Sequence, residues 1–197
     1  YDLETRRPFF FKSLKAKQNP ERNHPGWKVA RATSAAPTYF EPLKLTTNDE
    51  LTYYSLADGG LYANNPSMCA YAEVTNMGWK DFMFVSLGTG EMSAQTIPHE
   101  QAKNWGVLEW IKPLIDVMMD GNSDTVAYQM QSIINTLPNS EYVRLQAMLT
   151  KETSAMDNVE DSNLRKLKII ASELLANEHR KVDDICRALT YGDDAMG

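Results

Sequence analysis

The sequence predicts a mixed α/β fold, and three observations carry that prediction. Residues Tyr53 to Pro66 (Tyr-Tyr-Ser-Leu-Ala-Asp-Gly-Gly-Leu-Tyr-Ala-Asn-Asn-Pro) compress a strand, a sharp turn and a helix start into one stretch. Asp81 to Leu87 is nearly continuous in apolar side chains, as suits a strand buried on both faces of a parallel sheet. Trp105, Leu108, Ile111, Ile115 and Met118, then Val126, Met130, Ile133, Ile134 and Leu137, and later Leu164, Leu167, Ile170 and Leu174, fall at helical spacing.

Taken in order, Arg6-Arg7-Pro8-Phe9-Phe10-Phe11 is an aromatic run that reads as a strand, and the polar residues from Leu14 to Pro25 read as a surface loop. A helix is predicted from about Lys28 to Ala36, with Ala30, Ala32, Ala35 and Ala36 as a small-residue face that lets it pack closely, and Pro37 ends it. Leu43–Thr47 and Leu51–Leu56 are two short strands around the polar turn Asn48-Asp49-Glu50. Asn65 reads as an N-cap and Pro66 as the first residue of a helix running toward Asn76. With the strand before it and the strand at Asp81–Leu87 after it, this helix forms a crossover unit. Pro113 is expected to kink or interrupt the helix from Trp105, whose apolar residues would form a core face. Tyr142–Leu145 is a late strand. Asp157-Asn158-Val159-Glu160 resembles a capping box ahead of the helix that carries the Leu164 stripe, and a last helix covers about Lys181 to Leu189. Methionines 118, 119, 130 and 148 fit core filling better than an acyl-chain pocket, although thioethers suit both.

Composition narrows the function. At 197 residues, 43% hydrophobic and 23% charged, the chain is of ordinary globular composition and long enough for one domain. A net charge of −6, with no basic stripe standing out, argues against a nucleic-acid partner. Cys69 and Cys186 are too few and too far apart for a disulfide framework or a metal site, and Cys69 is read as a small buried residue. His24, His99 and His179 lack ligand spacing. No run of eighteen apolar residues is present. Gly88-Thr89-Gly90 lacks the Gly-Lys-Ser/Thr ending of a phosphate loop, so no nucleotide site is assigned to it.

Asp58 is the candidate site. It is a carboxylate left at a strand end, followed by Gly59 and Gly60. Tandem glycine there means either positive φ or very close approach of another chain element, both common where a side chain faces a reaction centre. An ordinary strand-to-helix turn would use the same residues.

The wider pattern separates these readings. Trp27-Lys28-Val29-Ala30-Arg31-Ala32-Thr33-Ser34-Ala35-Ala36-Pro37-Thr38-Tyr39-Phe40-Glu41-Pro42 upstream, the Asp58-Gly59-Gly60 turn, and Phe84-Val85-Ser86-Leu87-Gly88-Thr89-Gly90 downstream together resemble the patatin-like phospholipases. The likeness is densest from Pro8 to Gly90 and continues more weakly through Tyr142–Gln146 and Met156-Asp157. The resemblance implies a three-layer α/β/α sandwich with a mostly parallel central sheet, incomplete at its N-terminal side. Residues 1–190 would form the C-terminal part of a single domain and 191–197 a tail. It implies that Asp58 is the base of a Ser-Asp dyad, supported by Gly59 and Gly60, and it places the small-residue helix near the active cleft.

Two parts of that family's machinery have no counterpart in this sequence. No serine stands in a Gly-x-Ser-x-Gly elbow, and no glycine-rich oxyanion loop is present. Ser86 comes nearest, with Gly88 two residues after it but Phe84 two before, and its simpler use is in a strand that ends in a Gly-Thr-Gly loop. The resemblance therefore implies that this chain supplies the base of a lipid acyl hydrolase and is inert alone. The serine would lie in a missing N-terminal half or on a complementary chain. The expected substrate is an acyl ester of a phospholipid or galactolipid, met at a membrane surface or away from one, with no cofactor and no metal. A sheet cut in this way is expected to self-associate. Two other classes remain open: a non-catalytic binding or regulatory module on the same scaffold, and an α/β domain whose turn merely looks like Asp-Gly-Gly. A Gly-x-Ser-x-Gly encoded just upstream of Tyr1 would favour the enzyme.

Overall fold

In a computed structural model, residues 1–47, 51–92 and 97–191 are described. The Asn48-Asp49-Glu50 turn, and the expected tail beyond Tyr191, lie outside these residues. The chain is mixed α/β. Its contacts divide it into two compact units, Tyr1–Asn65 with Gly121–Ser123, and Pro66–Asp120 with Asp124–Gly197.

The first unit holds helix α1 (Ser13–Gln18), a 3₁₀ turn (Pro20–Arg22), helix α2 (Gly26–Thr33), strands β1 (Leu43–Thr46) and β2 (Tyr53–Leu56), and the short helix α3 (Gly60–Ala63). β1 and β2 are antiparallel, with Leu43 opposite Leu56 and Thr46 opposite Tyr53. Alternation turns Leu45 and Leu56 inward, where they meet Ala32 of α2, and Phe9, Phe11, Leu43 and Tyr54 pack around them. The aromatic run is not a strand. Asp2 forms isolated bridges to Arg7 and Leu56, Arg6 turns the chain at φ 55°, Phe9 and Phe11 meet edge-on, and Phe9 also packs against Tyr54, both phenylalanines being partly buried against the core. The expected loop from Leu14 contains α1. That helix buries no residue, so apolar periodicity gave it no signal.

The second unit holds α4 (Ser67–Asn76), β3 (Met83–Leu87), β4 (Glu91–Met92), α5 (His99–Ala102), α6 (Val107–Ile134) apart from its residues Gly121–Ser123, β5 (Glu141–Leu145), β6 (Met148–Leu149), α7 (Asp161–Asn177) and α8 (His179–Tyr191). β3 pairs with β5 and β4 with β6, both in parallel. The described strands thus form three two-stranded sheets, two of them parallel. The parallel crossover runs from β3 to β5 through α6, whereas β2 pairs with β1 instead of joining β3. Met130 and Ile134 of α6 and Tyr142 of β5 are buried, with Met68, Tyr71, Phe82, Phe84 and Val126 around them.

Several expectations change here. Pro113 does not interrupt α6, which runs unbroken for 28 residues; one missing N–H in its second turn is outweighed by the remaining ladder. The predicted core face at its start is exposed, with Leu108 79% and Ile111 55% accessible. Of the four methionines only Met130 is core, while Met118 and Met148 are exposed. β3 is not buried on both faces, since Val85 and Leu87 are exposed. Asn65 does not cap α4. It is buried, and its Nδ2 donates to the Ser123 carbonyl at 3.2 Å. Ahead of α7, Asn158 Oδ1 accepts from the Glu160 N–H at 3.1 Å and the Asn158 carbonyl accepts from Asn163 Nδ2 at 2.8 Å, which takes the place of a capping box. Cys69 is half-buried, not buried.

Candidate active site

The site is built from the end of β2. Ala57 is buried, exchanging backbone hydrogen bonds with Tyr1 (2.9 Å from the Ala57 N–H, 2.8 Å into its carbonyl), and the Leu3 N–H reaches the Ser55 carbonyl at 2.8 Å. Tyr1–Leu3 therefore lies along β2 as a further extended segment and fixes the strand's last turn before Asp58. Between them sits Asp2, 2% exposed. Its carboxylate accepts from the Thr5 hydroxyl at 2.6 Å and from the N–H groups of Ser55, Glu4 and Thr5 at 3.1–3.3 Å. Burial alone would raise its pKa, but these donors outweigh burial and hold the group below the usual carboxylate range.

The alanine run does what its small side chains allow. Ala32 and Ala35 are both buried, and the Asp58 N–H donates to the Ala35 carbonyl at 2.9 Å, which docks the turn on the segment after α2. A larger residue at either position would push that backbone away.

Asp58 is half-buried. Its Oδ1 accepts from the Gly60 N–H at 2.6 Å, which satisfies one of the free donors at the start of α3. Among the described residues no hydrogen bond reaches Oδ2. One oxygen thus orients the carboxylate, and the other carries no hydrogen bond from the described residues.

Neither glycine has positive φ. Gly59 sits at φ −66°, ψ −22°, and among the described residues the positive-φ glycines are Gly78 and Gly90, so the left-handed alternative is overturned. Close approach is what Gly60 provides: a Cβ there would lie 3.1 Å from Asp58 Oδ1. At Gly59 the nearest atom would be Thr33 Oγ1 at 3.6 Å, an ordinary contact.

No described serine hydrogen-bonds to Asp58. Ser86 is buried on β3, accepting from the Ser67 hydroxyl at 3.0 Å and from Arg144 Nη1 at 2.9 Å, a structural network within the second unit. Beside Gly59, a crevice of about 30 Å³ is lined by Tyr1, Phe9, Phe11, Ala32, Thr33, Leu56, Ala57 and Tyr62, room for a water molecule and not for an acyl chain. No described helix is long and apolar enough to cross a membrane.

The site is thus an aspartate oriented by the N–H of a glycine two residues on, at a strand end docked against alanines. Residues 1–71 match the patatin-like phospholipase family, and the chain belongs to that family. It is 30% identical over 187 residues to patatin-like protein 8 of Arabidopsis thaliana, covering 89% of this chain and 36% of that protein. It is 35% identical over 155 residues to a protein of the same plant named probable inactive patatin-like protein 9, covering 75% and 40%. With probable inactive patatin-3-Kuras 1 of Solanum tuberosum it shares 27% identity, covering 89% and 52%. The chain thus spans about a third to a half of the length of these relatives.

Proposed function

We propose that the chain carries the general base of a lipid acyl hydrolase, and that Asp58 is that base. The observation that carries this reading is the divided carboxylate, with Oδ1 fixed by Gly60 and no hydrogen bond to Oδ2 among the described residues. In this reading Oδ2 removes the proton of a serine hydroxyl supplied outside these 197 residues. The serine oxygen attacks the acyl carbonyl of a phospholipid or galactolipid ester, and the alcohol leaves with that proton. Water then cleaves the acyl-enzyme, with Asp58 taking a proton from the water and returning it to the serine. The described strands would belong to a three-layer sandwich whose central sheet is completed by the absent part.

The test is Asp58→Asn in the full-length protein. Folding should be retained, because an amide oxygen still accepts from Gly60, while turnover of a short-chain ester should fall by about 10²–10⁴-fold. Turnover close to wild type in a folded variant would refute the assignment. The 197-residue chain alone should take up no serine-directed fluorophosphonate, and stoichiometric labelling of it would place the nucleophile within this sequence.

A second reading has its own support. Two relatives bear the word inactive in their names, which fits a binding or regulatory module on the same scaffold. Full-length protein that lacks both labelling and turnover would favour it.

A further inference from the structure

Charge is distributed unevenly along this acidic chain. Residues 6–31 contain eight of its 20 Lys and Arg (Arg6, Arg7, Lys12, Lys15, Lys17, Arg22, Lys28, Arg31) and one of its 26 Asp and Glu, Glu21. Folding concentrates part of this charge further. α1, the 3₁₀ turn and the start of α2 enclose a cleft of about 380 Å³ whose walls carry Lys12, Lys17, Arg22 and His24 over the apolar Phe11, Ala16 and Val29, with no carboxylate among its lining residues. His24 stacks edge-on against Phe11 at 5.7 Å. Burial, and then the charges of Lys28 and Arg22, lower its pKa against the smaller opposing pull of Glu21, so the cations dominate the local field.

Two exposed aromatic rings adjoin these cations. Lys12 Nζ lies 5.5 Å from the ring centre of Phe10, and Lys28 Nζ lies 5.6 Å from that of Trp27, which is 66% exposed. Cations grouped over an apolar floor and flanked by exposed aromatics match the chemistry of a lipid–water interface, where head groups are anionic and aromatic rings favour the boundary.

We propose that this face docks the protein on an anionic phospholipid surface, the Lys12–Lys17–Arg22 cleft receiving a phosphate-bearing head group and Phe10 and Trp27 entering the interface. Phe11 also lines the crevice beside Gly59, together with Leu56 and Ala57, so the docking cleft and the strand end before Asp58 share one aromatic wall. A head group held there would bring its lipid to the vicinity of the base. The docking face uses no atom of Asp58, so it stands or falls separately from the hydrolase reading.

The experiment is sedimentation of the full-length protein with vesicles of pure phosphatidylcholine or of phosphatidylcholine mixed with phosphatidylglycerol. Binding is expected to the mixed vesicles alone. Lys17→Gln/Arg22→Gln/Lys28→Gln should weaken it on the order of 100-fold, since each cation near an anionic bilayer contributes about fivefold. Salt at about 0.5 M should release the wild-type protein, and Trp27 fluorescence should shift to the blue on binding. The triple variant should hydrolyse a soluble p-nitrophenyl ester at the wild-type rate, and Asp58→Asn should bind vesicles normally. Should the triple variant fail to fold, Trp27→Ser and the salt series still decide. Equal binding to both vesicle types, or unchanged binding by Trp27→Ser in a salt-insensitive complex, overturns the proposal. So does release by millimolar glycerol phosphate, which would mark a site for free phosphate, or tighter binding of a single-stranded oligonucleotide, which would mark a nucleic-acid face.

Discussion

Two glycine turns in this chain look alike in sequence and behave oppositely in space. Asp58-Gly59-Gly60 follows β2, and Gly88-Thr89-Gly90 follows β3. At the first, the backbone takes helical dihedrals open to any residue, and the reason for glycine is one close contact, between Gly60 and the carboxylate. At the second, Gly90 has φ 119°, a Cβ on it would lie 2.6 Å from Leu149 Cδ1 and Cγ, and a Cβ on Gly88 would collide with the Gln146 carboxamide. That carboxamide is engaged as well, because its Oε1 accepts from the Gly90 N–H at 3.2 Å. The special backbone lies in the second loop, and the turn that presents Asp58 is conformationally ordinary. A glycine pair next to a carboxylate therefore signals room for the side chain before it signals strain.

Substitution separates the two. Gly90→Val should be the most damaging, because a β-branched residue at positive φ and the clash with Leu149 together cost about 3 kcal/mol or more. Its denaturation midpoint should drop sharply, and a wild-type midpoint would show that the second loop is as tolerant as the first.

Asp2, beneath the first turn, should come next. Its folded pKa is depressed, so its contribution is complete above the ordinary carboxylate pKa of about 4 and is lost as pH falls through the lower folded value. Asp2→Asn should cost about 1–3 kcal/mol at neutral pH, since an amide replaces an acceptor that serves several donors. The variant's stability should also change less than wild type as pH falls below about 4. Parallel pH curves for the two proteins would contradict this.

Gly60→Ala should leave stability nearly unchanged, because alanine suits a helix start, yet lower ester turnover about tenfold by displacing Oδ1. Gly59→Ala is the mildest. With helical dihedrals and an ordinary 3.6 Å contact it should stabilise by about 0.4–1 kcal/mol with activity intact. A destabilised Gly59→Ala would mean that the turn is strained after all.

What the sequence revealed divides along physical lines. The hairpin, β5, the helix after Pro66 and the two C-terminal helices were legible because alternation or helical spacing marks them locally. Asp58 was legible as a carboxylate at a strand end, and its company of motifs made it a candidate base. α1 was not legible, since it buries nothing, and for the same reason the basic cleft was hidden inside an acidic total charge. The continuity of α6 through Pro113 was missed because a local penalty was weighed without the 28-residue ladder that absorbs it. The exposed start of α6 shows the same gap in reverse: Leu108 and Ile111 have the spacing of a core face, but spacing alone does not supply the surface that would cover it. The positive φ of Arg6 and Thr38 carried no compositional flag, because neither side chain favours it, whereas Asn139 is of a type that adopts it readily.

The pairing of the strands also sets an order of assembly. β1 and β2 meet across a short connection, Thr46 facing Tyr53, whereas Arg144 and Ser86 on the parallel pair are 58 residues apart. Closing the longer loop costs roughly 2 kcal/mol more in chain entropy. The hairpin that ends at Asp58 should therefore form early, on the microsecond scale of isolated hairpins. The parallel pair would wait for α6 to shorten the path between its strands. In a ribosome-bound or refolding chain, the segment carrying Asp58 would then be ordered while the Ser86–Arg144 hydrogen bond is still unmade, and that bond would serve as a late marker of folding.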